Sequence, residues 1–393
     1  MKLAIHGGTP VRESFLSYGQ QWIDEEDIQA VVETLRSPLI TQGPRIQQFE
    51  EAVARYVGAK YAVAFANGTA ALHGACYAAG ISQGDEVITT PITFAASANC
   101  VRYVGGKPVF VDIDENTYNI DPSLIEKAIT PRTKAIIAVD FTGQPADLDP
   151  IREIAQKYGL VFIEDAAHSL GSCYKGKKVG SLADMTMFSF HPVKHITTGE
   201  GGIIVTDDEE YYHKLKRFRT HGIITENVNN DEGPWYYEMV DLGYNYRMTD
   251  LQAALGLSQL TKLDAFVQKR REIAAIYNEA FSNVPGVCIP YQLPYVDSSW
   301  HLYVLQLQLE HFRVGRKEIF EALRAENIGV HVHYIPVYFH PYYQQLGYKK
   351  GICPIAEKWY EGALTIPIFP KMSEYDIRTV IEGVNKVLSF YRK

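Results

Sequence analysis

Apolar positions recur along this chain in two rhythms, and their order predicts an architecture. In DEEDIQAVVETLRS (24–37), Ile28, Val31, Val32 and Leu35 fall at helical spacing, with acids in the first turn and Pro38 behind. A second helix is expected through RIQQFEEAVARYVG. From residue 61 short apolar runs take over. YAVAFA (61–66), EVITT (86–90), PVFVDI (108–113), TKAIIAVD (133–140), LVFIEDAAH (160–168), MTMFSF (185–190) and GIIVTD (202–207) read as strands. TAALHGACYAAG, FAASANCVRYVG, PSLIEKAI and residues 149–157 read as the helices between the first five. The alternation predicts an α/β fold: a mostly parallel seven-stranded sheet flanked by helices on both faces.

A long helical stretch, roughly 250–281, follows, and after Pro285 the pattern changes. WHLYVLQLQL (300–309) alternates as a strand, RKEIFEALRAEN reads as a helix, and GVHVHYI (329–335) as another strand. The expected organisation is a large domain, 1–259, with an N-terminal helical segment, and a smaller α+β domain, 260–393.

A length of 393 residues suits two such units. Net charge is −8 with no long basic run, which argues against a nucleic-acid partner. An anionic ligand would need local donors. Cys76, Cys100, Cys173, Cys288 and Cys353 are scattered and form no CxxC pair, which fits free thiols in a reducing cytoplasm rather than disulfides or zinc. The opening MKLAIHGGTP lacks an apolar signal core, and no apolar run reaches membrane-spanning length. A cytoplasmic protein without a membrane partner is expected.

In an open α/β sheet, ligands bind beyond the carboxyl ends of the strands, so the residues closing each strand carry the chemistry. Asn67-Gly68-Thr69 opens a helix; taken alone it is a plain cap, but backbone N–H groups and a threonine hydroxyl also make a phosphate seat. Phe94 follows the second strand, as a core residue or as a contact for a flat ring. Glu164 and Asp165, before His168, are costly to bury without a partner. Ser189 precedes Lys194 by five positions in FSFHPVKHITTGEGG. Alone, Lys194 is a solvated loop lysine. Together, a phosphate seat, a ring contact, a carboxylate and a lysine are what pyridoxal 5'-phosphate (PLP) requires. The carboxylate keeps the pyridine nitrogen protonated, so that the ring is an electron sink. The lysine holds the cofactor covalently and shuttles protons, which needs a largely neutral amine in a partly desolvated place near other positive charge. The glycines of GEGG let the backbone turn tightly beside the ligand.

With LITQGPRIQQFE, ANGTAAL, DEVITTPITFAASAN, PVFVDID, IEDAAHSLGS, FSFHPVKHITTGEGG, RFRTHG, GYNYRMTDLQAALGLSQL and HVHYIPVY in this order, the chain resembles, over nearly its whole length, the PLP-dependent fold-type I aminotransferases of nucleotide-linked keto sugars, the DegT/DnrJ/EryC1/StrS family. HPVKHITTGEGG and HVHYIPVYFHPYYQQLGY are similar to the branch that makes UDP-4-amino-4,6-dideoxy-N-acetyl-altrosamine for pseudaminic acid. The resemblance implies that Lys194 binds PLP, that Asp165 pairs with the pyridine nitrogen, and that His168 lies near the ring. It implies further that Gly68, Thr69 and Ser189 hold the phosphate and that Phe94 stacks on the ring. Asn245, in GYNYRM, would reach the phosphate held by a neighbouring subunit, which requires a homodimer with shared active sites. Thr41, His331, His333 and Tyr334 fall on the sugar-nucleotide side. Relatives with histidine in place of the lysine do dehydrating chemistry; Lys194 implies transamination. The reaction implied is ping-pong, from L-glutamate to C4 of a UDP-linked 4-keto-6-deoxy-N-acetylhexosamine. A dTDP-4-keto-6-deoxyhexose, a UDP-4-keto-pentose or a 3-keto sugar stays open as acceptor.

Other readings weigh less. His191 and His195 have a zinc-like spacing, but Pro192 intervenes and no third ligand is near; strand histidines such as His331 and His333 are more often satisfied than metal-bound, so no metal is expected. GEGG is no GxGxxG fingerprint, against a nicotinamide-dependent sugar reductase. A non-catalytic regulator that binds sugar or cofactor would have lost Lys194 or Asp165, and both are present. Tyrosine clusters at WYYE (235–238) and PYYQQ (341–345) read as packing or interface positions.

Overall fold

The structure is a computed structural model that describes residues 2–225, 228 and 230–393. Its main sheet has seven strands: β1 (Tyr61–Phe65), β2 (Glu86–Thr89), β3 (Lys107–Phe110), β4 (Thr133–Val139), β5 (Val161–Asp165), β6 (Met185–Ser189) and β7 (Gly202–Thr206). They lie in the order β1-β7-β6-β5-β4-β2-β3. The pairs from β6 through β5, β4 and β2 to β3 are parallel; β7 runs antiparallel to both β1 and β6.

Both faces are buried, which is why these strands read as continuous apolar runs. Ile88, Ile136 and Phe162 point into one core, and Val87, Ile137 and Ile163 into the other. The helices up to Phe281 are α1 (Glu25–Leu35), α2 (Pro44–Val57), α3 (Gly68–Ala78), α4 (Ala96–Tyr103), α5 (Pro122–Ala128), α6 (Leu148–Tyr158), α7 (Glu209–Phe218), α8 (Asp250–Leu260) and α9 (Leu263–Phe281). α3, α4 and α7 cover the face of Val87, α5 and α6 that of Ile88. The strand order brings the ends of β1, β2, β4, β5 and β6 to one edge, and the register pairs Val139 with Asp165 and Asp165 with Met187. Asp165 therefore ends a central strand.

The helical stretch expected over 250–281 is two helices. Thr261 bends back to donate its hydroxyl to the Ser258 carbonyl at 2.7 Å, and Lys262 pairs with Asp24 and Asp27 at 2.5 and 2.9 Å. α9 then passes through two cores. Leu263, Phe266 and Val267 pack with α2 and β7; Ile273, Ala274, Tyr277 and Phe281 pack with a three-stranded antiparallel sheet of β8 (Val287–Cys288), β9 (Tyr303–Leu307) and β10 (Ala363–Ile366).

Two expectations differ from the structure. GVHVHYI is not a strand: it makes an isolated bridge, His331 to Thr365, just after the bridge of Leu16 to Ile328, and then turns along a cavity wall. The N-terminal residues, grouped above with the large domain, join the C-terminal core through Leu3 and Leu16. Their backbone has few apolar side chains to hold it and is held instead by Glu326, which is fully buried. Its carboxylate accepts from Ala4 N and Val11 N, each at 2.9 Å, and from Lys386 at 2.8 Å.

Candidate functional site

A cavity of about 980 Å³ opens at the carboxyl edge of the sheet. Its floor is the start of α3. Asn67 caps the helix by accepting from Ala70 N at 2.9 Å, so the bland reading of NGT as a cap holds. By helix geometry the N–H groups of Gly68 and Thr69 still lack an intrahelical acceptor, and both residues line the cavity. Ser189, at the end of β6, faces them: a Cβ on Gly68 would meet its Cβ and Oγ at 3.2 and 3.3 Å. Gly202, the last glycine of GEGG, lets β7 pass under this floor, for a Cβ there would sit 2.6 Å from the carbonyl of Asn67. Gly199 makes the turn, at φ +78°.

Lys194 follows β6 on a turn closed by its own N–H to the His191 carbonyl at 2.9 Å. Its side chain is half-buried and reaches the cavity. Burial pulls its ammonium down to about 8; the Asp165 carboxylate opposes that fall, and Arg270 adds to it. Arg270 is fully buried and donates to the carbonyls of Trp300, His301 and Ile368 at 3.2, 3.1 and 2.9 Å.

Asp165 is buried, and burial pushes its carboxyl up. Ser97, the Ala167 N–H and the charge of Lys194 oppose that rise. Beneath lie two more buried acids. Burial and then the Asp140 charge hold Glu164 well above the usual carboxylate range, while Thr186 donates to it at 2.9 Å. Asp140 is pushed up to about 7, mainly by burial, although Ser169 donates to it at 2.5 Å.

The walls are aromatic and imidazole. Phe94 lines the cavity with 62% of its surface exposed, an unusual state for a phenylalanine in a folded interior. His168 is buried, and its Nε2 is 3.2 Å from the Tyr334 hydroxyl. Burial first, and then Lys194, keep its imidazole neutral at physiological pH. His331 and His333 stack with centroids 4.5 Å apart, beside Tyr18, and His333 pairs with Thr365 at 2.9 Å. Thr41 and Asn245 are exposed and do not line this cavity; each makes an isolated bridge, to Thr249 and Thr220. Tyr18, Ser97 and His301 line it without having been picked out from the sequence. Tyr18 sits in a stretch without periodicity, Ser97 in an ordinary helical pattern, and His301 in an alternating run.

PLP fits these residues. The Gly68–Ser189 cradle takes no side chain, burial weakens the amine's hold on its proton, an acid lies within its field, and an uncovered ring stands beside them. This is the architecture of a PLP-dependent aminotransferase of fold type I. The chain belongs to the DegT/DnrJ/EryC1/StrS aminotransferase family, whose profile matches residues 21–385. It is 48% identical to the spore coat polysaccharide biosynthesis protein SpsC of Bacillus subtilis, over 96% of this chain and 98% of that one. It is 40% identical to the UDP-4-amino-4,6-dideoxy-N-acetyl-beta-L-altrosamine transaminase of Campylobacter jejuni, over 96% and 99%. Helicobacter pylori PseC, an aminotransferase involved in pseudaminic acid biosynthesis, superposes with a TM-score of 0.90 at 36% identity, over 96% of this chain and all of that one. Spr1654 of Streptococcus pneumoniae, solved in its PLP form, does so with 0.89 at 33% identity, over 96% and 99%.

Proposed function

We propose that the enzyme moves the amino group of L-glutamate to C4 of a UDP-linked 4-keto-6-deoxy-N-acetylhexosamine, for a surface glycan. The observation that carries the chemistry is that Lys194, its pKa lowered to about 8 by burial, and Asp165 line one cavity. The choice of acceptor rests on full-length similarity to the Campylobacter transaminase.

Bound here, PLP supplies an electron sink for the carbon that loses its proton. Lys194 Nζ takes the proton from the α-carbon of glutamate in the first half-reaction and delivers one to the sugar C4 in the second. Asp165 acts by charge and keeps its own protonation state. Gly68, Thr69 and Ser189 hold the phosphate, and Phe94 lies against the ring. His168, neutral and tied to Tyr334, offers a hydrogen bond rather than a charge. His331, His333 and Tyr334 face the sugar nucleotide, with Thr41, outside the cavity, as a further candidate for that ligand.

The reading includes a cytoplasmic homodimer. Trp235, Tyr237, Met239, Val240 and Leu242 expose apolar surface close in sequence to Asn245, and such a patch marks a protein contact. Asn245 then acts in the neighbouring site. Among the described residues no helix is long and apolar enough to cross a membrane.

The test is a panel of UDP- and dTDP-keto sugars with glutamate, read by product mass. Amination of the UDP-4-keto-6-deoxy-N-acetylhexosamine is expected; amination of only the dTDP sugars would overturn the acceptor. The same protein should carry a visible cofactor band that Lys194→Ala abolishes together with turnover. Sedimentation as a monomer at assay concentration would remove Asn245 from the site.

A further inference from the structure

Asp165 is held by a chain of two hydroxyls that the functional reading does not use. Ser97, on the first turns of α4, donates to Asp165 Oδ2 at 2.6 Å. Thr93 Oγ1 lies 2.7 Å from Ser97 Oγ. All three side chains are buried, Ser97 at 1% exposure, Thr93 at 3% and Asp165 at 4%, and all three residues line the cavity.

The direction of the chain follows from proton counting. A serine hydroxyl has one proton. Its possible acceptors are the Asp165 carboxylate at 2.6 Å, the Thr93 hydroxyl oxygen at 2.7 Å and the Phe94 carbonyl at 3.3 Å. The shortest, charge-assisted bond takes the proton, at a length typical of O–H to carboxylate. Ser97 Oγ is then left as acceptor, so Thr93 donates to it. The order is Thr93 to Ser97 to Asp165. Among the described residues the other oxygen, Oδ1, accepts just the longer bond from Ala167 N at 3.2 Å.

Burial works against the charge of Asp165. Its charge in turn raises Glu164 on β5, Asp140 at the end of β4, the Cys100 thiol on α4 and the Tyr334 phenol, none of which can supply it with a cation. Lys194 is the cation that faces it. A hydrogen bond to a carboxylate favours the ionised form. A carboxylate also has about four acceptor positions, so two bonds from the protein leave capacity for a ligand N–H.

We propose that Ser97, oriented by Thr93, is a positioning residue of this enzyme: it keeps the Asp165 carboxylate ionised and fixed, with its remaining acceptor positions free for the ring nitrogen of PLP. The inference rests on the reading of Asp165 as the partner of that nitrogen.

The test uses the PLP-loaded enzyme and three variants: Ser97→Ala, Thr93→Val, which keeps the shape and removes one hydroxyl, and Asp165→Asn. The first readout is the pH midpoint of the visible band, which reports the proton on Lys194 Nζ. A less firmly protonated ring repels that proton less, so the midpoint moves to higher pH in Ser97→Ala and, by a smaller amount, in Thr93→Val. The second is PLP release, faster in Ser97→Ala by about tenfold or more, as for a lost hydrogen bond to a charged group. The third is steady-state kinetics, in which kcat falls and KM for the sugar holds. If Ser97→Ala does not fold, the Thr93→Val midpoint decides alone. Wild-type midpoints in the serine and threonine variants, beside an impaired Asp165→Asn, would overturn the inference and leave Asp165 in its role. A wild-type Asp165→Asn would overturn the reading beneath it.

Discussion

Lys194 is predicted to destabilise the protein that needs it. Its ammonium is pulled from 10.5 to about 8 by burial, so below about pH 8 the folded chain carries a charge in a place that resists it. The fall amounts to roughly 3 kcal/mol at 1.36 kcal/mol per tenfold. The side chain keeps part of its surface toward the cavity, so about 1–2 kcal/mol is the effect expected to show. For a basic group with a lowered folded pKa, the sign is fixed. The penalty is full below the folded value, shrinks between about 8 and 10.5, and is gone above the unfolded value. Replacing Lys194 with methionine or glutamine in cofactor-free protein should therefore raise the unfolding midpoint at neutral pH, by about 2–4 °C for each kcal/mol in a mid-sized domain and less in this longer chain. The gain should disappear as pH passes 10.5. Urea or thermal unfolding across that range is the assay. A packing gain from methionine would not depend on pH, and glutamine would not share it. A variant less stable than wild type at neutral pH, or a difference unchanged at high pH, would refute the account of how the amine is kept reactive.

Three further outcomes follow from the geometry. Glu164 is held protonated in the fold and ionises freely when unfolded, so it makes stability fall as pH rises above about 4.5; Glu164→Gln should flatten that slope between about pH 5 and 8, measured by urea unfolding. Gly202→Ala would set a Cβ 2.6 Å from Asn67 backbone atoms and 2.7 Å from Gly68 Cα; a loss of about 3 kcal/mol or more is expected, read as poor soluble yield and weak PLP retention. Phe94→Ala removes a ring that is 62% exposed, so cofactor-free stability should change by less than about 0.5 kcal/mol while PLP dissociates faster in a dilution assay.

The strands and the chemical groups at their ends were legible because each breaks a pattern. An acid pair closing VFI, or a lysine after FSF, is an anomaly that burial must account for. Gly68, Ser189, Asp165 and Lys194 do meet on one cavity for that reason. GVHVHYI misled because an extended cavity wall and a strand share the same alternation; only hydrogen-bond partners separate them. Ser97 gave no sign, since one helical serine looks like any other until its acceptor is known. Glu326 reads as a solvent-facing acid at the end of RKEIFEALRAEN, whereas it is enclosed by a segment more than 300 positions earlier. Nothing local announces such a partner.

That clasp bears on how the molecule is made. Ala4 leaves the ribosome long before Glu326 and Lys386 exist, so the segment around it has no seat until both have emerged. Closing a span of 322 residues is slow to reward but adds little further entropy with length, and the segment around Ala4 must wait in solvent meanwhile. Insertions beside that segment would therefore be felt most at a late stage of maturation, when Glu326 and Lys386 become available to hold it.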